Sequence, residues 1–473
     1  MRALLILCAV LASLVPTPAL AAESGFSGAG MGLLWVAPFA GILLSIAILP
    51  LAAPHFWHRH FGKVSAFWAL AFLVPFAVRY GGGVAAHELV HTLVAEYIPF
   101  IILLLALFTV AGGIYIRGNL HGSPGLNTGI LAAGTGLASV MGTTGAAMLL
   151  IRPLIRANDN RKHKVHVIVF FIFLVGNIGG SLTPLGDPPL FLGFLKGVDF
   201  FWTAKAMLLP MVISAGLLLA LFYAIDYYYY HHGSEERPAR LDPTPDTERI
   251  GFDGKFNFLL LGAIVACVLM SGMWKPGIRL DIFGTPLELQ NLVRDVLLLA
   301  IAFASWRLTP KSVRDENAYS WGPILEVAKL FVGIFITIIP AIAILKAGNQ
   351  GALAPLVALV TDGSGQPINA MYFWLTGALS SFLDNAPTYL VFFNLAGGDA
   401  KVLMTTLSNT LLAISAGAVF MGANTYIGNA PNFMIKAIAE ERGIAMPSFF
   451  GYMAWSCCIL LPLFALLTVI FFR

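Results

Sequence analysis

The chain has 473 residues, 58% of them hydrophobic and 11% charged, with a net charge of +4. Soluble domains carry about 25% charged residues, so a soluble enzyme and a basic nucleic-acid-binding surface are both excluded as readings. Apolar stretches of about 20 residues, the length that crosses the hydrocarbon, recur throughout, and the chain reads as an all-α polytopic protein of the lipid bilayer.

Residues 1–21 have one basic residue, an apolar run from Ala3 to Val15, and Ala19-Leu-Ala21 ahead of Ala22. This is the form of a cleaved secretory signal peptide; a retained first helix is the alternative. Candidate spans follow at Leu33–Leu51, Gly62–Val78, Leu93–Ile116, Asn127–Ile155, His163–Phe194 and Thr203–Tyr230. After a polar loop over 231–255 come Phe256–Trp274, Leu292–Trp306, Trp321–Leu345, Met371–Phe393, Val402–Ile435 and Phe449–Phe472. Ala352–Val360 is too short to span. Cys8, Cys267, Cys457 and Cys458 lie in apolar runs without metal-site spacing and read as packing residues.

Basic residues near short loops mark the cytoplasm. Arg59 and Lys63, the Arg152/Arg156/Arg161/Lys162/Lys164 cluster, Arg307, Lys311 and Arg314, and Lys436 and Arg442 mark such loops. Arg117 and that cluster flank Asn127–Ile155, so both its ends want the cytoplasm, which a re-entrant hairpin turning near Gly142-Thr-Thr-Gly145 would satisfy. The matching segment, about 371–396, is flanked by Asp362, Asp399 and a lone Lys401, and both its ends fit the outside. About 10–12 transmembrane helices plus two re-entrant hairpins result, with the two halves inserted from opposite faces.

Polar motifs repeat at one spacing. Leu137-Ala-Ser-Val-Met-Gly-Thr-Thr-Gly145 and Gly180-Ser-Leu-Thr-Pro-Leu-Gly-Asp-Pro-Pro189 are matched by Leu379-Ser-Ser-Phe-Leu-Asp-Asn-Ala-Pro387 and Gly422-Ala-Asn-Thr-Tyr-Ile-Gly-Asn-Ala-Pro431. Ser139/Ser381, Thr183/Thr425, Gly186/Gly428 and Pro189/Pro431 all lie 242 residues apart. Upstream, Glu96…Asn119 resembles Glu326…Asn349 at an offset of 230. The repeats are placed at about 93–230 and 323–473, with spans in 33–80 and 256–306 as scaffold helices. Such paired, Gly/Pro-broken segments are the sequence pointer to a transporter's binding site.

Broken backbone at membrane depth must be buried or line a wet cavity. Its free carbonyls can coordinate a cation and its half-helix N-termini can hold an anion. Thr143, Thr144, Ser181, Thr183, Asn385, Thr388, Asn424, Thr425 and Asn429 add neutral oxygen and amide ligands. Asp187 and Asp384 are the carboxylates, and an intramembrane carboxylate is by default a functional hypothesis. Asp384 is the first choice for a group shared between Na⁺ and H⁺; Asp187, between Gly and Pro, could instead be a helix cap. Glu96 and Glu326, near span ends, are weaker candidates. His87-Glu-Leu-Val-His91 matches the zinc-protease pattern, which makes an intramembrane zinc protease the rival reading; coincidence is the reading preferred. No nucleotide-binding loop is present, so secondary rather than ATP-driven transport is expected, with no cofactor.

Asn177-Ile-Gly-Gly-Ser-Leu-Thr-Pro-Leu-Gly-Asp-Pro-Pro189 and Ser381-Phe-Leu-Asp-Asn-Ala-Pro-Thr388 resemble motifs of the ion transporter superfamily (citrate transporter-like), closest to its arsenite-pump and NhaD-type sodium/proton antiporter branches. The resemblance implies a scaffold domain and a mobile transport domain, elevator-like alternating access and a homodimer. It places Asn177, Thr183, Asp187, Asp384, Asn385, Asn424 and Thr425 near the ion, with Na⁺ at Asp384, Asn385, Thr183 and Asn424. One departure stands out: the antiporter branch tends to carry Asp-Asn at the first tip as well, where this chain has Gly142-Thr143. The expectation is Na⁺(Li⁺)/H⁺ antiport in a bacterial inner membrane; the alternative is a citrate-like organic-anion or oxyanion carrier of the same fold.

Overall fold

The computed structural model describes residues 27–118, 120–232 and 251–473. The signal-peptide reading of residues 1–21, Asn119 of the upstream match and most of the 231–255 loop fall outside them. Among the described residues eight helices are long and apolar enough to span a membrane, from Leu33–Pro50 to Phe449–Phe471. Two broken helices make ten candidate crossings among the described residues.

The segments expected as scaffold form two helix pairs, Ala37–Ala52 with Pro54–Tyr80 and Phe256–Met273 with Leu289–Leu308. The first helix of each repeat packs on one of them: Ile98–Ala111 against Leu289–Leu308, and Gly322–Thr337 against Pro54–Tyr80. These two helices meet each other where Phe100 lies over Phe331, ring centroids 4.9 Å apart. The first of them begins at Gly82 rather than Leu93 and passes through a π-helical turn at Leu93–Tyr97. The His-Glu-x-x-His segment therefore sits inside this span and not ahead of it.

The remaining elements pack mainly on one another. The predicted segment 127–155 is two helices, Pro124–Met141 and Thr143–Ala157, joined at Gly142 with φ of +81°. No side chain rests easily there. Its two ends lie together: Asn127 and Asn158 exchange amide hydrogen bonds of 2.9 Å, and Asn127 also donates to the buried Asp226 carboxylate at 2.9 Å. The second segment is likewise a hairpin, Asn369–Phe382 and Asn385–Leu395, turning at Leu383-Asp384. Each hairpin is followed by a broken helix: Val165–Leu174 resumes at Pro188–Leu195, and Ser408–Met421 resumes at Ala430–Glu441. Phe200–His232 and Phe449–Phe471 close the two halves.

One end of the molecule gathers arginines. Tyr115–Arg117 pairs antiparallel with Gly251–Asp253; Arg156 reaches the Tyr115 hydroxyl and donates to the Ile116 carbonyl at 2.8 Å; Arg314 donates to the Thr109 carbonyl at 3.2 Å. This is the end that the positive-inside rule favours for the cytoplasm. The opposite end carries a small sheet, Arg279–Ile282 with Thr285–Glu288.

Both breaks depend on glycine for close approach. A Cβ on Gly186 would fall 2.1 Å from the Gly180 carbonyl oxygen, and one on Gly428 2.5 Å from that of Gly422. Both obstacles are backbone, so neither can give way cheaply. Gly186→Ala and Gly428→Ala should each lower thermal stability in detergent by about 1–3 kcal/mol. Gly216→Ala, on an open helix face, should be neutral or stabilising by about 0.5–1 kcal/mol.

Candidate functional site

Four half-helices start at the centre of the molecule. Their caps are Gly142 and Asp384 at the hairpin tips, and Asp187 and Asn429 at the breaks. Each N-terminus is the positive end of a helix dipole, equivalent to about half a positive charge. Four together offset much of the cost of two ionised carboxylates at membrane depth.

The two aspartates behave differently, for a reason written in the residues after them. Asp384 caps its helix, accepting the Ala386 N–H at 3.0 Å. Asp187 makes no such bond. Its first two helical positions are Pro188 and Pro189, and proline has no N–H to offer. The carboxylate is therefore free to turn toward other elements, and three donors converge on it. The Thr143 hydroxyl donates to Oδ1 at 3.2 Å, the Asn429 amide to Oδ1 at 3.1 Å, and the Asn385 amide to Oδ2 at 2.5 Å. These come from the first hairpin tip, the second broken helix and the second hairpin tip. Asp187 is 2% exposed. The sequence argument put Asp384 at the centre; the convergence of donors is on Asp187, while Asp384 is half-buried at the cavity wall. Asp187 and Asn429 are 242 residues apart, the repeat offset itself, so equivalent positions of the two halves touch across their pseudo-twofold axis.

The other expected residues divide into those at the cavity and those that hold the breaks. A cavity of about 130 Å³ is walled by Thr143, Thr144, Asp187, Asp384 and Asn429, by Pro184–Pro188, and by apolar side chains including Leu103, Phe108, Phe191 and Phe331. Among the described residues no lysine, arginine or histidine lines it. Asn385 is buried behind it, its Oδ1 without a hydrogen-bond partner. Thr388 donates to the Asp384 carbonyl at 3.0 Å. Thr183 and Thr425 do matching structural work: their hydroxyls donate to the Ser139 carbonyl (2.5 Å) and to the Ser381 carbonyl, and accept the N–H of Leu185 and Ile427 at 3.1 and 3.2 Å. Asn424 donates to the Ser381 hydroxyl at 2.9 Å, leaving its Oδ1 unpartnered. Asn177 donates to the Ile172 carbonyl at 2.8 Å and to Asn432 Oδ1 at 2.7 Å. Of the four residues expected around Na⁺, Asp384 lines the cavity and Asn385 lies on Asp187; Thr183 and Asn424 are engaged elsewhere.

Asn432 escaped the sequence reading. It is fully buried and donates to the Gly422 and Thr425 carbonyls at 2.8 and 2.9 Å while accepting from Asn177, so it fastens one broken helix to the other. The duplication could not reveal it, because the matching position is Leu190. Ser139 and Ser381 were visible as repeated positions, but not their role in holding the breaks. Glu96 pairs with Lys196, outside this cavity. Glu326 is not among the cavity residues.

The zinc pattern finds no site. The His87 and His91 rings are 6.5 Å apart, and His87 Nδ1 lies 3.2 Å from the Phe283 carbonyl. Among the described residues no group of three His, Cys, Asp or Glu side chains could hold a metal ion.

A family profile described as "Putative citrate transport" matches residues 28–472. The chain belongs to this family. Membership agrees with a multi-pass membrane carrier rather than a catalyst. It agrees with the citrate transporter-like part of the resemblance; the NhaD-type and arsenite-pump branches are narrower than the match. No curated protein matches the chain.

Removing one amide from a buried carboxylate leaves it short of a donor, at a cost of about 1–3 kcal/mol. Asn385→Ala and Asn429→Ala should each destabilise the protein by that amount, read as thermal unfolding in one detergent. In the Asp187→Asn background both losses should shrink, since the charge they serve is gone.

Proposed function

We propose that this family member is a secondary-active carrier exchanging Na⁺ or Li⁺ for H⁺ across a bacterial inner membrane. The observation that carries the reading is the cavity lining: two carboxylates with hydroxyl and amide groups beside them and, among the described residues, no basic side chain. An unescorted di- or tricarboxylate would meet two like charges there. A cation would meet Asp384, whose second oxygen is not used by its cap, and Asp187, whose ligand shell includes an amide with an unused oxygen. Either carboxylate can hold a proton in place of the cation, which gives exchange by competition. Asp187 and Asp384 share the role, with Thr143, Thr144, Asn385 and Asn429 as neutral ligands. The mobile unit of hairpins and broken helices would carry them past the scaffold in an elevator-like step, with no cofactor and in a homodimer.

A second reading is an organic-anion carrier. The family's description favours it, as do the four helix N-termini, which are attractive to an anion. In that case the substrate would arrive protonated or with a cation to meet the aspartates.

Purified protein in liposomes with an internal pH dye separates the two. Na⁺ and Li⁺, but not K⁺, should drive proton movement; citrate should not accumulate. Citrate uptake without cation-driven proton movement would replace the antiport reading by the second. Asp187→Asn and Asp384→Asn should each lower Na⁺-driven proton flux at least tenfold, and full activity in either would remove that residue from the mechanism.

A further inference from the structure

We infer that the Glu96–Lys196 ion pair is the outer latch of the access route, and that transport requires it to open. The inference rests on the alternating-access part of the proposed function, not on which ion is carried.

The two partners lie on different helices, which touch at this point. Glu96 lies in the π-helical turn of the scaffold-packed helix. Lys196 caps the end of Pro188–Leu195, the half-helix that begins at Asp187. The ammonium group meets Glu96 Oε1 directly. Their side chains are 11% and 25% exposed, so water screens the pair only in part. A π turn shifts the register of the residues beyond it and is often found at functional positions; here it contains the carboxylate.

Three spaces follow one another through shared wall residues. Phe331 lines the central cavity. Phe331 also borders an apolar contact with no room for a water molecule, closed by Leu192, Phe335, Ile338 and Leu390. Phe335 and Ile338 in turn line a vestibule of about 360 Å³ at the end opposite the arginines, together with Glu88, His91, Glu96, Lys196 and Lys346. The route from the vestibule to Asp187 is thus shut by an apolar plug with one ion pair beside it. The half-helix that carries Lys196 also carries Leu192 of the plug and ends on Asp187, so parting the pair moves plug and site together.

The repeat does not duplicate the pair. Glu96 has a counterpart in Glu326, at the offset of 230, on the first helix of the second repeat. Lys196 has none, because the position 242 residues on is Ile438. On the equivalent half-helix the nearby Lys436 pairs with Glu440 four residues on. Among the described residues the Glu96–Lys196 pair therefore has no counterpart in the second repeat.

The test uses Glu96→Cys with Lys196→Cys, the native cysteines being replaced by serine, bridged by a bis-methanethiosulfonate spacer. Bridging confirmed by mass should lower exchange in liposomes at least tenfold, and reductant should restore it. A bridged protein that exchanges at the unbridged rate overturns the latch. If the reduced protein moves no cation at all, the antiport reading fails instead; the latch is then judged by thiol accessibility. In intact cells a Leu192→Cys reporter should react with an impermeant thiol reagent at least threefold faster in the Lys196→Gln background. The charge swap Glu96→Lys with Lys196→Glu should return it to the slow rate. No change in either background also overturns the proposal.

Discussion

A peptide group in hydrocarbon has no water to turn to, so every N–H and C=O at a helix break must find a partner inside the protein. Two helices broken near the bilayer centre, and two hairpins tipped toward them, would otherwise be untenable. Each break is satisfied by its own hairpin. Ser139 donates to the Gly179 carbonyl at 2.5 Å, and Ser381 to the Met421 carbonyl at 3.1 Å, 242 residues on. Thr183 and Thr425 complete the pair. The close Gly180–Gly186 and Gly422–Gly428 approaches follow from the same demand. Hairpin and broken helix are therefore one folding unit in each half, and neither could be kept without the other.

The site is what remains when those obligations are met. The loop threonines are consumed by backbone, and the group left over at the axis is Asp187. Its freedom comes from two prolines that have no N–H to be capped. Asp384 is followed by an ordinary Ala386 N–H and caps it. Two aspartates of the same type thus take different positions because of the residue two places on. Each half contributes one carboxylate, but from different elements, so an almost symmetric scaffold presents an asymmetric charge distribution to the cavity.

Much of this was legible in the chain. The 242-residue offset located the breaks, and arginines at the first hairpin and acids at the second gave the expectation that each turns back on one side. The opposed insertion of the halves followed. Legibility stopped at contacts between elements. That three amide and hydroxyl donors from three elements would meet on Asp187 depends on how the halves cross, and no spacing encodes a crossing. Asn432 has no repeated partner, and the Glu96–Lys196 pair joins residues 100 positions apart.

Composition and periodicity by themselves determined a polytopic α-helical membrane protein with two polar, broken segments per half, because hydrocarbon admits only internally bonded backbone and glycine and proline mark where it bends. The tertiary structure alone decided which carboxylate sits at the axis and which lysine Glu96 meets. Those outcomes depend on the approach of helices distant in sequence, where the donor that arrives nearest, rather than the residue type, decides what a side chain does.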